Sequence, residues 1–334
     1  MSKQNKAAIL RGLAFLLVFL VLFAGVDHVM RRKSLVGPWN MTAKVAGFYN
    51  EPEDEFEVMF FGSSHAYASF QPLTIYEETG VKSYVFATQK QPIWATYHYM
   101  VEAFKTQTPA LAVVEVNMVP DAQAYLDEGT NHSYLDDLPF STNKLELIAV
   151  TAPEGERAPY VLPFLKYHAR WSELGPKDFT YRAADQQDDL KGYVLLPDTE
   201  AVPVYEDLSE VETGTIPEKN LGYIEKIRAL CAEYGVALWL VKAPSNPLAD
   251  QVAGIWAVEE WAAENNVTFD DFNRSFTEIG LTPEMFYDQA HLDAVGAETF
   301  TRWFAELLME RYPDLAADPG DQSWIDARAA MTTE

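Results

Sequence analysis

Residues 56–65 read Phe56-Glu-Val-Met-Phe-Phe61-Gly62-Ser63-Ser64-His65. The stretch from Phe56 to Phe61 reads as a buried strand that ends at Gly62, because a short continuous apolar run closed by a turn residue suits a strand covered on both faces. Working outward, similar runs occur at Val81–Phe86, Ala110–Val116 and Val236–Val241, with a shorter one at Val267–Phe269. Helical patterns lie between and after them, over Trp94–Thr106, Lys219–Tyr234, Val252–Asn265 and Val295–Arg311. Strands alternating with helices, and strands that are continuously apolar, predict an α/β fold with a parallel sheet covered on both faces. Reactive groups in such sheets gather at the carboxyl ends of the strands. The stretch from about Pro120 to Thr215 breaks this rhythm with Pro, Asp, Tyr and turn signals, and is expected to be an insertion packed over the strand ends.

The chain has 334 residues, 48% apolar and 22% charged, which is the composition of a folded protein with ample core. The formal net charge of -25 excludes a nucleic-acid binder, since a phosphate backbone needs a basic surface. The single cysteine, Cys231, excludes an internal disulfide framework or a multi-cysteine metal cluster, and reads as a buried small apolar residue in a helix.

Charge is distributed unevenly. Residues 1–33 hold six bases and one acid, which leaves 19 bases and 49 acids in residues 34–334. Between the basic clusters, Gly12 to Val26 run for fifteen uncharged residues, and Ala7 to Leu10 extend the stretch if Arg11 snorkels. An uncleaved membrane anchor is the preferred reading. A cleaved signal needs a better site than Ala24-Gly25-Val26-Asp27, and a soluble core helix is the third alternative. Arg31-Arg32-Lys33 balances the N-terminal bases, but a short N-terminal tail normally stays in the cytoplasm, which puts the acidic body outside. The expected layout is a cytoplasmic tail and anchor over 1–33, a linker over 34–55, an α/β domain over 56–312 with the insertion at about 120–215, and a tail over 313–334.

Two motifs carry candidate chemistry. A serine just past a buried strand, on a tight turn into a helix, sits at the sheet rim beside free backbone N–H groups, where a nucleophile with an anion hole belongs. The same Gly62-Ser63-Ser64 also suits a helix N-cap. In Phe286-Tyr287-Asp288-Gln289-Ala290-His291-Leu292, Asp288 and His291 are three apart on a turn, so the carboxylate can orient the imidazole while the ring takes a proton from a hydroxyl. Asp-x-x-His before a helix equally suits capping and surface polarity. Parallel topology brings both motifs to one end of the sheet.

These blocks resemble the first and last blocks of the SGNH (GDSL-type) hydrolase superfamily. The resemblance covers roughly residues 56–117 and 217–311. It implies a three-layer α/β/α sandwich with Ser64 as nucleophile, His291 as general base and Asp288 as its orienting partner. The anchor, Gly62-Ser63-Ser64-His65, Gln91-Pro92-Ile93-Trp94 and Tyr167-His168-Ala169-Arg170-Trp171 further resemble the membrane-anchored, extracytoplasmic DltD-like and alginate-acetylation-like branch. That branch works beside MBOAT-type membrane acyltransferases on cell-surface polymers. The family's second block supplies an oxyanion glycine where this chain has Ala87-Thr88-Gln89-Lys90, and its third block reads Gly-x-Asn-Asp where this chain has Glu115-Val116-Asn117. The implied oxyanion donors are therefore Ser64, Lys90 and Asn117.

Candidate substrate-binding residues are His65, Gln91, His168, Arg170 and Trp171, of which the last two suit an anionic or sugar-like ligand through a planar fork and a stacking face. His65 also suits a helix start, and His168, Arg170 and Trp171 equally suit a structural ion pair and anchor for the insertion. His98 reads as packing and His132 as part of a polar loop. No metal or nucleotide motif is present, so neither a metal nor a cofactor is expected. The expected function is extracytoplasmic acyl transfer, most simply acetyl transfer, to a surface polysaccharide or wall polymer. The alternatives are an SGNH-type esterase, a non-catalytic scaffold docking on a membrane acyltransferase, and an anchored sugar-binding module.

Overall fold

The computed structural model describes residues 3–37, 39–199, 208, 210–246 and 248–331. Part of the expected insertion (200–207 and 209), Pro38 of the expected linker, the first two residues of the tail and the last three of the chain lie outside the described residues. The chain begins with α1 (Lys3–Met30), α2 (Met41–Phe48), β1 (Val58–Gly62), α3 (Ser64–Ser69), α4 (Pro72–Thr79), β2 (Ser83–Ala87), α5 (Ile93–Ala103) and β3 (Leu111–Glu115). Five short helices follow: α6 (Glu128–Leu135), α7 (Thr142–Thr151), α8 (Ala158–Val161), α9 (Phe164–Tyr167) and α10 (Pro176–Thr180). Then come α11 (Glu218–Tyr234), β4 (Ala237–Lys242), α12 (Ala249–Glu264), β5 (Thr268–Asp271), α13 (Phe276–Ile279), α14 (Ala294–Arg311) and α15 (Gln322–Met331).

The five strands form one parallel sheet in the order β2-β1-β3-β4-β5. Successive side chains of a strand point to opposite faces, so each apolar strand feeds two cores. Met59 and Phe61 join Tyr84, Phe86, Ala112 and Val114 in one core, with Tyr99 of α5 and Ile227 of α11. Val58 and Phe60 join Val85, Val113, Trp239 and Val241 in the other, with Phe300 and Phe304 of α14. Phe60 stacks on Phe70 at 4.4 Å and Trp239 on Phe304 at 5.2 Å. Truncating such a buried ring to Ala costs about 3–5 kcal/mol. The β2 edge is covered by a later segment, with Val85 N–H donating to Lys191 O at 2.9 Å.

Three expectations needed revision. Within the expected linker, α2 is buried along its whole length, because Val45 and Phe48 enter the core and Lys44 donates to Asp188 at 3.2 Å. Within the expected tail, α15 seats Trp324 between Phe56 and Tyr76, and Arg328 bonds Glu77. His132 lies on α6 rather than in a loop, buried with its Nδ1 2.8 Å from Asp136. The helical span Gln4–Met30 is long and apolar enough to cross a membrane, with mean hydropathy 2.6, and none of its apolar window is buried in the protein. Its 28-residue helix is about 42 Å long, enough for a hydrocarbon core of about 30 Å.

Candidate active site

The carboxyl ends of β1, β3 and β4 converge on one small region. Gly62, the last residue of β1, has φ +141°, and a Cβ there would stand 2.9 Å from Glu115 Cβ and 3.0 Å from Glu115 O. Only glycine fits both that dihedral and that approach, so the strand turns directly into α3. Ser63 occupies the N-cap position but makes no side-chain cap. Ser64 is the first residue of α3, and its hydroxyl donates instead to His291 Nε2 at 2.7 Å.

His291 is held by a closed turn. Phe286 and Leu292, both fully buried, pair as an antiparallel bridge, and Tyr287 N–H donates to His291 O at 2.9 Å. Asp288 Oδ1 accepts from the Ala290 and His291 N–H groups at 2.7 and 2.9 Å, an Asx-type turn. The His291 ring then donates from Nδ1 to the same carboxylate at 2.9–3.0 Å, which leaves Nε2 as the acceptor facing Ser64. Burial pushes the Asp288 carboxyl up, but the His291 ring and these backbone donors outweigh it and hold the group below the usual carboxylate range. Asp293 caps α14 by accepting from Gly296 N–H at 2.7 Å, fixing the turn to the helix behind it.

A second polar cluster, which no local motif announces, lies beneath Ser64. Lys242 ends β4 fully buried; its ammonium lies 2.9 Å from Ala243 O, 3.2 Å from His65 Nδ1 and 3.6 Å from Glu115 Oε1. Glu115 ends β3, also buried, and accepts the Asn117 N–H at 3.1 Å. Burial raises the Glu115 carboxyl and lowers the Lys242 ammonium relative to their ordinary values, each opposed by the other's charge. The His65 ring centroid is 5.1 Å from that of His291. The available signal was a charged residue closing each of two apolar strands.

Tyr67, one turn along α3 from Ser64, is also buried, and its hydroxyl lies against the Ser64 side chain with no well-aligned hydrogen bond. Burial first, then the Asp288 charge, keeps that phenol protonated. Asn246 follows β4 and is locked to the His291 turn: its N–H donates to Gln289 O at 3.2 Å and its carbonyl accepts from Gln289 Nε2 at 3.0 Å.

The other expected residues are distributed differently. Lys90 has φ +48°, a left-handed conformation more often taken by glycine. The Asn117 backbone N–H is taken up by Glu115, and its side chain has no partner among the described residues. Gln91 is buried and clamps its own loop, accepting from Thr88 Oγ1 at 2.9 Å and donating to Thr96 Oγ1 at 3.1 Å. Of His168, Arg170 and Trp171, Arg170 reaches the end of α1. Arg170 donates to Met30 O at 2.7 Å and Asp178 at 3.1 Å, His168 Nδ1 contacts Leu165 O, and Trp171 is exposed. Among the described residues, no group of three or more His, Cys, Asp or Glu is arranged to hold a metal ion. No protein-family model matches the chain, and no curated protein matches it either.

Proposed function

We propose that the protein is a membrane-anchored, extracytoplasmic serine acyltransferase of the SGNH type, its sheet and flanking helices forming a three-layer α/β/α sandwich with residues 120–215 as the insertion. The observation that carries this reading is the continuous contact from Ser64 Oγ to His291 Nε2 at 2.7 Å and from His291 Nδ1 to Asp288 at 2.9 Å. Ser64 Oγ attacks an acyl carbonyl carbon as its proton passes to His291 Nε2. The tetrahedral oxyanion then collapses, the bond to the leaving group breaks, and His291 returns the proton to that group. A hydroxyl of a surface glycan or wall polymer next gives its proton to His291 as its oxygen bonds the acyl carbon; the ester bond to Ser64 then breaks and His291 returns the proton to Ser64 Oγ. Asp288 fixes the ring tautomer and stabilises the transient imidazolium.

The anchor places such a site beside a membrane source of acyl groups, for which an MBOAT-type acyltransferase is the partner the sequence resemblance implies. Hydrolysis uses the same groups with water as acceptor. A fluorophosphonate probe applied to the full chain tests the reading: labelling of the wild type that disappears in Ser64→Ala supports it, and equal labelling of both, or of neither, opposes it.

A further inference from the structure

The last turns of α1 dock on α9 and α10. Phe23 meets the Phe164 ring edge-on at 5.5 Å, Phe164 N–H donates to Asp27 Oδ1 at 2.7 Å, the His28 and Tyr181 rings stack at 5.9 Å, and Arg170 binds Met30 O. Around this joint, large apolar side chains face outward. Trp171 is 74% exposed and Phe179 64%, and Leu162 and Leu165 of the same segment are exposed as well; Phe140, 70% exposed, lines the same cavity as His28, Arg31 and Tyr181. An acidic protein has no solubility reason to group such residues, and the segment that carries them packs on the end of α1, a helix long and apolar enough to cross a bilayer. We propose that this surface, Phe140 with residues 162–179, lies in the lipid interface and holds the body at a fixed tilt on the membrane. Trp171 suits that depth through an apolar ring with a polar N–H for the headgroups, and Phe140, Phe179 and the leucines supply a purely apolar face for the acyl chains.

The test uses the full chain in phosphatidylcholine nanodiscs with brominated acyl chains. Cys231 is buried and its thiol is pushed up to about 12 by burial, so it does not compete for a label. Fluorophores on Trp171→Cys and Phe179→Cys are expected to be quenched by the bromolipid, while one on Tyr234→Cys, exposed at the end of α11, is not. Quenching at Trp171→Cys and Phe179→Cys no greater than at Tyr234→Cys overturns the proposal.

The cluster beneath Ser64 carries a separate inference. The Lys242 ammonium donates to Ala243 O and His65 Nδ1 and is paired at 3.6 Å with the Glu115 carboxylate, so it faces the ring as a donor. With Nδ1 accepting, the neutral His65 ring carries its hydrogen on Nε2, which has no partner among the described residues. We infer that His65 Nε2–H is a side-chain donor to the oxyanion formed at Ser64, held in that tautomer by the buried Lys242–Glu115 pair. No proton is transferred; the hydrogen bond strengthens as charge develops on the oxygen. Burial and the Lys242 charge keep the ring from taking a second proton. The inference rests on the reading of Ser64 as nucleophile.

Hydrolysis of p-nitrophenyl acetate by the detergent-solubilised full chain separates the two claims. Activity unchanged in Ser64→Ala overturns the nucleophile reading and this inference with it. If Ser64→Ala is inactive, His65→Ala is expected to lower kcat about 10²–10³-fold with KM within about threefold, and His65→Gln, which keeps an N–H donor, to recover at least about tenfold. A His65→Ala kcat within about threefold of wild type overturns the His65 role alone. Histidine-selective nitrogen NMR of the native chain is expected to show His65 protonated on Nε2, and protonation on Nδ1 overturns the inference independently of activity.

Discussion

The Ser64 hydroxyl lies 2.7 Å from His291 Nε2 across 227 residues of chain. Two local devices set that distance. Gly62 allows β1 to break into α3 against Glu115, and the Phe286–Leu292 bridge closes the turn that presents the imidazole. Neither device contributes one of the two side chains, yet their separation depends on both.

Asp288→Asn is expected to leave the fold intact while removing the acceptor that fixes the His291 tautomer. The acyl-ester kcat then falls about 10²–10⁴-fold with little change in KM, read from steady-state kinetics and near-ultraviolet circular dichroism.

Gly62→Ala forces a Cβ to 2.9 Å from Glu115 Cβ at a φ of +141°. The expected loss is about 1–3 kcal/mol in urea unfolding, with a fall in fluorophosphonate labelling of Ser64, because the strand end and Ser64 move together.

Glu115→Gln leaves Lys242 as a buried cation without its counter-charge and is expected to cost about 3–5 kcal/mol. Lys242→Met combined with Glu115→Gln removes both charges and recovers much of that loss. A double-mutant cycle on thermal unfolding reads the coupling, and additive losses contradict the ion pair.

Asp137 gives a pH-dependent expectation. Burial, then the Asp136 charge, raises its carboxyl from 3.8 to about 6 against the pull of Thr42, Arg31 and Lys144. A carboxyl raised in the folded state contributes its full stability below pH 3.8, and that contribution is lost as pH rises through about 6. Asp137→Asn lacks this loss, so its stability relative to wild type is expected to improve by about 1–3 kcal/mol between pH 4 and pH 7.5, measured by urea unfolding.

The strands are legible from composition because a parallel strand buried on both faces carries its burial in its own side chains: Phe56–Phe61 is read where Val58–Gly62 is observed, and Val236–Val241 where Ala237–Lys242 is. The α2 helix is not legible, since Met41-Thr-Ala-Lys-Val-Ala-Gly-Phe48 is buried by distant contacts such as Lys44 with Asp188 and Tyr193. Ser64 and Asp288-x-x-His291 stand out because each motif is local. The Lys242–Glu115–His65 cluster does not, because three separate segments build it and a lysine closing an apolar strand looks like an exposed end. Arg170 and Trp171 have the composition of a glycan subsite, but the Arg170 guanidinium is taken up by Met30 O at the end of α1 and by Asp178.

The most direct test of the central claim is acid-quenched peptide mapping of the full chain after brief exposure to an activated acyl ester. An acyl adduct is expected on the peptide containing Ser64, lost in Ser64→Ala and strongly reduced in His291→Ala. A chain that turns over the ester with no adduct at Ser64, or that forms the same adduct without His291, contradicts the claim.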